Sequence, residues 1–404
     1  MLSVEEAGRR ILGTFSVLPA EPAPLLDALG LTLAEDICAT FDIPPLSNSA
    51  MDGYAVRAED TLQATPDSPR RLRILSNLPA GYVSDRTVEP GTAIRIMTGA
   101  PVPEGADAVV QVELTDRQGD DVLVQAEVAR WRNVRHAGED VRAGETVLAR
   151  GARIRPAEVG VLASLGLERV PVVRRPKVGI LATGDELLEL GEPLAAGKIY
   201  NSNAYSTAAQ VLEAGGVPVR LGVARDTQDS LRGKLGAALQ AGVDMLISSG
   251  GVSVGDFDLV KDMLAAEGEV DFWQVNMKPG KPLAFGRLAG VPMLGLPGNP
   301  VSSMVSFELF GRPALHKMLG QPLSPRPQVT ARLLDRYHKT DGRRHFLRVR
   351  VEERDGEHVA RLTGEQGSGI LTSLSRANGL AVVPESSAGL RPGDQVTVSM
   401  LDWL

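Results

Sequence analysis

The sequence predicts a multidomain protein that joins an α/β part to β-rich parts. Between about residues 177 and 320, apolar runs alternate with helical patterns of about 10–15 residues, which is typical of a parallel sheet with helices on both faces. Before and after this region, short alternating segments separated by Gly, Pro and Asp indicate further strands. The length of 404 residues suits roughly two to four domains.

Composition and charge are those of an ordinary globular chain and argue against several classes of protein. The net charge of −7 gives no sign of a broad nucleic-acid or membrane surface, although a local basic pocket is compatible with it. The single cysteine, Cys38, excludes an intrachain disulfide and a cysteine-based zinc site. No apolar run reaches the roughly 18 residues of a membrane span, and no basic-then-apolar leader opens the chain, so we expect a cytoplasmic protein.

Helices are predicted at the N-terminus. Ser3-Val4-Glu5-Glu6 matches a capping box, in which Ser3 accepts from the backbone and Glu6 reaches back. A second short helix is expected to end near Gly30, since glycine is favourable just past a helix C-terminus.

A β-rich block follows, over about residues 54–132, with a hairpin tip at 118–120. A further helix is predicted over 156–166, where apolar residues recur on one face. If this helix rejoins the N-terminal helices, the β-rich block is an insertion.

The alternating region that follows is predicted to form the parallel sheet. Its strands are expected over 178–183, 218–223, 245–249 and 292–296, and its helices near 204–214, 231–241, 257–265 and 301–319.

From residue 327 the pattern is β again. Asp355-Gly356, between alternating segments at 344–352 and 357–362, is a strong hairpin signal. We expect a small barrel or sandwich of roughly 80 residues.

Two glycine-rich turns carry the strongest functional signal. Each follows an apolar run and delivers carboxylates at the predicted strand ends, where open α/β sheets bind ligands. Glycines let backbone N–H groups approach an anion, but acids would repel a bare phosphate. The acids therefore indicate a metal ion, Mg²⁺ in particular, or activation of a water. The candidates are Glu186, Asp226 and Asp256, although Asp226 alone could simply begin a helix.

Two further segments suit anion binding at the same place. Lys278-Pro279-Gly280-Lys281 puts two lysines on one stiff turn, although surface lysines are usually just solvated. Asn299 and Pro300 are a good N-cap and first residue for a helix whose N–H groups would point at the site. A P-loop is excluded because Asp256 occupies the lysine position, and neither a dinucleotide fingerprint nor a nucleophile elbow is present.

Together these motifs resemble the MoeA family, the molybdopterin molybdenumtransferases, which are related to the C-terminal domain of gephyrin. The likeness spans roughly residues 1–385 and rests on several motifs in the family's order. They are Asn48-Ser49-Ala50-Met51-Asp52-Gly53-Tyr54-Ala55-Val56, Met97-Thr98-Gly99-Ala100, Gly138-Glu139-Asp140, Thr183-Gly184-Asp185-Glu186-Leu187, Ser249-Gly250-Gly251-Val252-Ser253-Val254-Gly255-Asp256, Lys278-Pro279-Gly280-Lys281-Pro282 and Leu296-Pro297-Gly298-Asn299-Pro300-Val301-Ser302.

The resemblance implies four domains and a homodimer. The domains are an elongated discontinuous one (1–45 and 140–176), an inserted β-rich one (46–139), a MogA-like three-layer α/β domain (177–323) and a C-terminal β barrel (324–404). In the dimer, Asp52, Thr98 and Asp140 of one subunit would face the α/β domain of the other.

The implied reaction inserts molybdenum from molybdate into adenylylated molybdopterin, with Mg²⁺, and releases AMP. Asp52, Thr98 and Asp140 would join Glu186, Asp226 and Asp256 as catalytic residues, and the last three would hold the metal. Gln274 stands where some relatives have a lysine, so one positive contact would be missing. The implied substrate-binding residues are Thr183, Gly184, Asp185, Ser249, Gly250, Gly251, Ser253, Gly255, Lys278, Lys281, Pro297, Gly298, Asn299, Pro300, Ser302, Arg343, Arg348 and Ser368.

Two other functions are open at this point. A MogA-like adenylyltransferase would act on free molybdopterin and consume ATP, but it would not need the flanking β regions. A non-catalytic cofactor carrier or scaffold is the other, and other cofactor-biosynthesis proteins are possible partners. The sequence does not distinguish molybdate from tungstate.

Overall fold

The computed structural model of the protein describes residues 1–225, 227–250 and 268–401, with 268–273 described as backbone alone. These residues form two compact units. The larger comprises Met1–Pro22, Gly30–Thr32 and Pro171–Leu404, and the smaller comprises Ala23–Leu29 and Leu33–Val170. The strands Ala20–Pro24 and Arg169–Val173 contain positions at which the chain passes between units.

The smaller unit is built mainly from short strands, as the sequence predicts. Thr115–Gln118 and Asp121–Val124 pair antiparallel about the expected hairpin tip. The helix Pro156–Ser164 confirms the prediction for 156–166, two residues shorter. The six-stranded sheet of the smaller unit has the order Ala108–Gln111, Gly53–Val56, Thr92–Ile96, Arg70–Leu78, Asp121–Val124 and Thr115–Gln118. The other elements are the strands Ile37–Cys38, Asn48–Ser49, Val134–Arg135 and Thr146–Leu148 and the 3₁₀ turns Ala58–Thr61 and Val112–Leu114.

The second predicted N-terminal helix is wrong. Residues 25–30 form a turn, because the strand Ala20–Pro24 and the bond from the Leu25 N–H to the Glu168 carbonyl hold the chain up to Leu25 and leave only five residues to Gly30. Gly30 still has the left-handed φ of +81° that the helix-end prediction requires of it.

The first helix, Val4–Gly13, belongs to the larger unit. Ser3 Oγ accepts from the Glu6 N–H at 3.1 Å, which confirms the N-cap. The Glu6 carboxylate accepts from Arg10 at 2.7 Å instead of reaching back to Ser3, so the capping box is half formed.

A six-stranded sheet, called the central sheet below, organises the larger unit. The four predicted strands pair in parallel, which confirms the prediction, and two further strands that were not predicted extend one edge by antiparallel pairing. The order is Val217–Ala224, Lys177–Thr183, Met245–Ser249, Val291–Leu296, Pro282–Leu288 and Gly268–Gln274.

Helices cover both faces of the central sheet, as predicted. Gln228–Gln240 buries Leu231 and Leu235 on one face, and Ser202–Glu213 buries Ala204 and Val211 on the other. The second face is shared with a helical stretch that continues from Pro300–Ser306 through a π turn, Phe307–Gly311, to Arg312–Met318. The predicted helix 257–265 lies outside the described residues. Within the described residues, no helix has the length and apolar character to cross a membrane.

The C-terminal strands close into a barrel. Arg344–Arg354 pairs with both Glu357–Leu362 and Gly379–Val383, and this second pairing closes a ring of five strands. Asp355 and Gly356 have φ of +53° and +77° at the predicted hairpin turn. The other barrel strands are Gln328–Leu333 and Gln395–Met400, and the short strand Met277–Lys278 pairs with Arg344–Arg354. The remaining short elements of the larger unit are the strands Tyr337–His338, Gly389–Leu390, Leu187–Leu188 and Ile199–Tyr200 and the helix Thr372–Ser375.

Candidate functional site

The first glycine-rich turn folds a carboxylate back over its own backbone. The strand Lys177–Thr183 ends directly before Gly184, whose φ is +141°. A Cβ added at Gly184 would lie 2.7 Å from the Glu186 carboxylate carbon, which could move away, so it is the positive φ that favours glycine here. Glu186 is exposed and Asp185 is exposed beside it.

The second turn lies against the first. Ser249 is in register with Ala182 on one side and with Leu296 on the other. Gly250 has φ of +89°, and its N–H donates to the Leu296 carbonyl at 3.1 Å. A Cβ at Gly250 would lie 3.1 Å from both the carbonyl and hydroxyl oxygens of Thr183. The strand ends therefore meet at one edge of the central sheet.

A cavity of about 300 Å³, the strand-end cavity, opens at this edge. Two buried polar atoms in its lining, Ser249 Oγ and Asn203 Oδ1, have no hydrogen-bond partner among the residues that the structure describes. Asn203 Nδ2 donates to the Gly298 carbonyl at 2.7 Å, so its oxygen is left for a ligand or water. The cavity is lined by Thr183, Glu186, Leu187, Ile199, Tyr200, Asn201, Ser202, Asn203, Ser249, Gly250, Gly298, Pro300 and Gly369.

Two basic side chains support the loop that carries Glu186. Lys198 Nζ donates to the Asp185 carbonyl at 2.6 Å, and Arg225 Nη1 donates to the same oxygen at 3.3 Å. Sequence reasoning did not select either residue. Arg225 directly precedes Asp226 after a predicted strand, so its position could have indicated a residue near the site. Nothing in the sequence around Lys198 indicates such a position.

The predicted metal site is described only in part. Glu186 is within the described residues, whereas Asp226 and Asp256 lie outside them, as do Gly251, Ser253 and Gly255. Among the residues that the structure describes, no three His, Cys, Asp or Glu side chains group closely enough to hold a metal. Glu186 itself suits Mg²⁺, because it presents an exposed hard oxygen donor in the cavity that the Ser249 hydroxyl also lines.

The helix predicted to bind an anion begins at the cavity. Asn299 occupies the N-cap and Pro300 the first helical position, but the Asn299 side chain makes no capping bond. The Val301 N–H donates to the Ser368 carbonyl at 3.1 Å, so one of the expected anion donors is already used. Ser302 is 4% exposed, Pro297 is buried, and Gly298 is exposed.

The two predicted lysines are exposed on a tight turn. Gly280, between them, has φ of +100°, and a Cβ there would lie 2.6 Å from Ser306 Oγ. The turn therefore lies directly on the buried helix 300–306, with Lys278 and Lys281 directed away from the core.

The two predicted arginines have different surroundings. Arg343 is partly exposed, and its guanidinium donates to Asp341 at 2.6 Å. Arg348 is 1% exposed and donates to Ser373 Oγ at 3.0 Å and to the Glu365 and Gly367 carbonyls. Burial lowers the pKa of Arg348 to about 10. This guanidinium holds the 365–368 loop, including Ser368, from beneath.

The smaller unit holds the other three predicted catalytic residues. Asp52 Oδ1 accepts from both the N–H and the hydroxyl of Thr98, each at 2.7 Å, and these bonds lower the pKa of Asp52. Asp140 is exposed on the loop whose N–H groups pair with Ile43. The Ser47 carbonyl and hydroxyl tie the loops on both sides together, by accepting from Val102 and from Ala137.

Comparison with known proteins covers the whole chain. Family models match as the MoeA N-terminal region (domain I and II) over residues 2–166, a probable molybdopterin binding domain over 179–317 and the MoeA C-terminal region (domain IV) over 330–401.

Full-length relatives and structures agree with these models. A protein named molybdopterin molybdenumtransferase 2 from Mycobacterium tuberculosis is 41% identical over 98% of this chain and 99% of its own. The molybdopterin molybdenumtransferase of Bacillus subtilis is 37% identical over 99% and 94%. A crystal structure of the molybdopterin biosynthesis MoeA protein of Pyrococcus horikoshii matches 100% of this chain and 99% of its own, with a TM-score of 0.86 and 33% identity. The chain therefore belongs to the MoeA family and is an enzyme of molybdenum cofactor biosynthesis.

Proposed function

We propose that this enzyme inserts molybdenum into adenylylated molybdopterin, using molybdate and Mg²⁺ and releasing AMP. The observation that carries the proposal is the strand-end cavity, lined by an exposed carboxylate, by glycine backbone and by two buried oxygens that have no partner within the described part of the chain. Such a lining suits a polar substrate that brings its own donors and its own phosphate groups. The names of the relatives, which refer to transfer of molybdenum to molybdopterin, support the same chemistry.

Within this proposal, Glu186 would hold Mg²⁺ together with Asp226 and Asp256. The ion, when bound, supplies the positive charge that stabilises a phosphoanhydride during cleavage. The glycines at 184 and 250 let the substrate approach the backbone, and Ser249 orients it through its free hydroxyl. The exposed Lys278 and Lys281 would bind molybdate, because two cations on one stiff turn favour a dianion.

We also propose a cytoplasmic homodimer in which the loops of Asp52, Thr98 and Asp140 act on the partner's site. The paired hydrogen bonds from Thr98 keep the Asp52 carboxylate ionised and fixed, as a residue that acts on a bound ligand must be. Other proteins of cofactor biosynthesis are further candidate partners.

The test is release of AMP from adenylylated molybdopterin, with molybdate and Mg²⁺ added separately and together. We expect release only with both. In Glu186→Gln we expect a fall of about a hundredfold or more, because a lost metal ligand removes about 3 kcal/mol of transition-state stabilisation. Glu192→Gln, an exposed carboxylate later in the same loop, is the matched control and should behave as the wild type.

Other outcomes point to other functions. Consumption of ATP with free molybdopterin would indicate an adenylyltransferase. Tight binding of the substrate without AMP release under any condition would indicate a carrier or scaffold, and the carboxylates would then be structural.

A further inference from the structure

A chain of hydrogen-bonded polar side chains lies at the edge of the barrel around the buried His345, and Tyr337, Asp341 and His345 have no part in the function proposed above. The Tyr337 hydroxyl lies 2.9 Å from His345 Nδ1, and His345 Nε2 lies 2.8 Å from Asp341 Oδ1. The other Asp341 oxygen accepts from Arg343 Nη2 at 2.6 Å, and the Arg343 N–H donates to Asp341 at 3.0 Å. The chain thus runs from the barrel interior to a partly exposed guanidinium.

The partners define the protonation of the chain. An ionised Asp341 only accepts, so His345 carries its proton on Nε2 and accepts from Tyr337 on Nδ1. The bond from Arg343, assisted by that from His345, holds the pKa of Asp341 well below its usual range. Burial lowers the pKa of His345, and the positive charges of Lys278 and Lys339 act in the same direction against the opposing charge of Asp341. The imidazole is therefore neutral near pH 7.

The chain adjoins the lysine turn through the backbone. Lys278 pairs with His345, and Met277 pairs with Arg344, in the parallel attachment of the strand 277–278 to the barrel. Asn276 adds two links, because its carbonyl accepts from the Arg344 N–H at 3.0 Å and its side chain donates to the Gly342 carbonyl at 3.3 Å. Two cations, Lys278 and Arg343, therefore flank one junction of two segments.

We infer that Asp341 and His345 are positioning residues, which hold the Arg343 guanidinium beside Lys278 so that the two cations bind one tetrahedral oxyanion. The inference rests on the proposed function, since molybdate is the oxyanion that the reaction consumes. Asp341 fixes the guanidinium directly. His345, anchored by Tyr337, fixes the orientation of the carboxylate.

A comparison of two arginines distinguishes the positioning role from a purely structural one. Arg348, five residues after Arg343, donates to two backbone carbonyls and a buried hydroxyl. The Arg343 side chain is 26% exposed and precedes the strand residues that pair with the segment of the exposed Lys278. A planar guanidinium held on one side by a carboxylate can still donate to a second anion from its remaining N–H groups.

The experiment measures binding of molybdate, phosphate and sulfate separately to the full-length protein by calorimetry. We expect Asp341→Asn and His345→Leu to weaken molybdate about tenfold, as loss of an outer-shell partner typically does. His345→Gln should bind nearly as the wild type, because its amide can accept from Tyr337 and donate to Asp341. The matched control is Asp335→Asn, a half-buried barrel carboxylate that accepts from the Leu362 N–H at 2.7 Å, away from the lysine turn.

In turnover assays, Asp341→Asn should raise the KM for molybdate about tenfold and leave kcat within about twofold. The reason is that the variant weakens an interaction made equally with the bound substrate and with the transition state. If Asp341→Asn and His345→Leu bind molybdate as well as Asp335→Asn does, the positioning role is wrong and the proposed function stands. If phosphate and sulfate bind as tightly as molybdate, the site is a general tetrahedral-anion site and Arg343 does not select the substrate. If the wild type binds no oxyanion at all, the molybdate role of the lysine turn fails as well.

Discussion

The strand-end cavity of the central sheet and the interior of the C-terminal barrel contain similar polar side chains, but they differ in how many of those side chains have hydrogen-bond partners. In the cavity, Ser249 Oγ is buried with no hydrogen-bond partner in residues 1–225, 227–250 and 268–401, and the Glu186 carboxylate is exposed. In the barrel, the side chains of Lys339, His345, Arg348 and Ser373 are buried, and each of them makes at least two hydrogen bonds.

The difference indicates which polar groups serve the fold and which remain for a ligand. A buried group with full partners contributes to stability, and one without partners costs stability unless a ligand or water completes it. Residue type does not distinguish the two cases: Ser249 and Ser373 are both buried serines, and Arg343 and Arg348 lie five residues apart.

The largest effect on the free energy of unfolding is expected when the buried Lys339 of the barrel is replaced. Lys339 Nζ donates to the carbonyls of Pro384, Glu385 and Ser387 at 2.6, 2.7 and 3.0 Å. Lys339→Met leaves these three oxygens without that donor, so the free energy of unfolding should fall by about 3 kcal/mol or more. The measurement is urea unfolding, with hydrogen exchange of residues 384–388 as a local readout.

Lys281→Met is the control for that variant. Lys281 is exposed on the lysine turn, so its replacement should change the unfolding free energy by no more than about 0.5 kcal/mol. The same replacement should lower the affinity for molybdate. Equal losses of stability in the two variants would contradict the distinction between the regions.

A pair of serine substitutions sharpens the comparison at intermediate size. Ser373 Oγ accepts from Arg348 Nε at 3.0 Å and donates to the Ile370 carbonyl at 2.6 Å. Ser373→Ala should therefore cost about 1–2 kcal/mol of stability and leave AMP release intact. Ser249→Ala removes a hydroxyl without a partner, so stability should be unchanged or slightly higher, and the KM for the pterin substrate should rise. The opposite assignment of effects would show that Ser249 serves the fold.

The smallest effect concerns pH. Because burial lowers the pKa of His345, the unfolded chain takes up a proton at this position more readily than the folded one. Stability therefore falls as the pH drops through about 6.5, the ordinary value for histidine. The melting temperature should fall less between pH 8 and pH 5.5 in His345→Gln than in the wild type, whereas the exposed His338→Gln should follow the wild type.

Much of the architecture could be predicted because its signals are local. The strand 245–249 has the predicted bounds, and the Asp355-Gly356 turn joins the expected hairpin. The antiparallel strands Pro282–Leu288 and Gly268–Gln274 were missed, because whether an edge strand runs parallel or antiparallel depends on the partner it meets across the sheet. The turn at 25–30 was predicted as helix for a similar reason, since the pairing of Leu25 with Glu168 spans 143 positions.

The predicted site residues fall into two groups for the same reason. Thr183 and Ser249 end apolar strands, and Gly184 and Glu186 come just after one. Parallel strands bring their ends together, so the meeting of these residues was predictable. The supporting contacts of Lys198 and Arg225 with Asp185 were not, because they depend on the path of a loop. The division into four domains, the homodimer and the metal ligands stay predictions.

The sequence by itself determined the family, the alternation of strands and helices, and the glycines that local backbone geometry requires. Each of these depends on residues that are close together in the sequence. Only the tertiary structure decided which charged side chains are free. Arg343 and Arg348 look alike in the sequence, but one meets Asp341 at the surface and the other meets carbonyls in the barrel interior. The cost of burying an unpaired charge makes that distinction, and it depends on every segment that packs around the side chain.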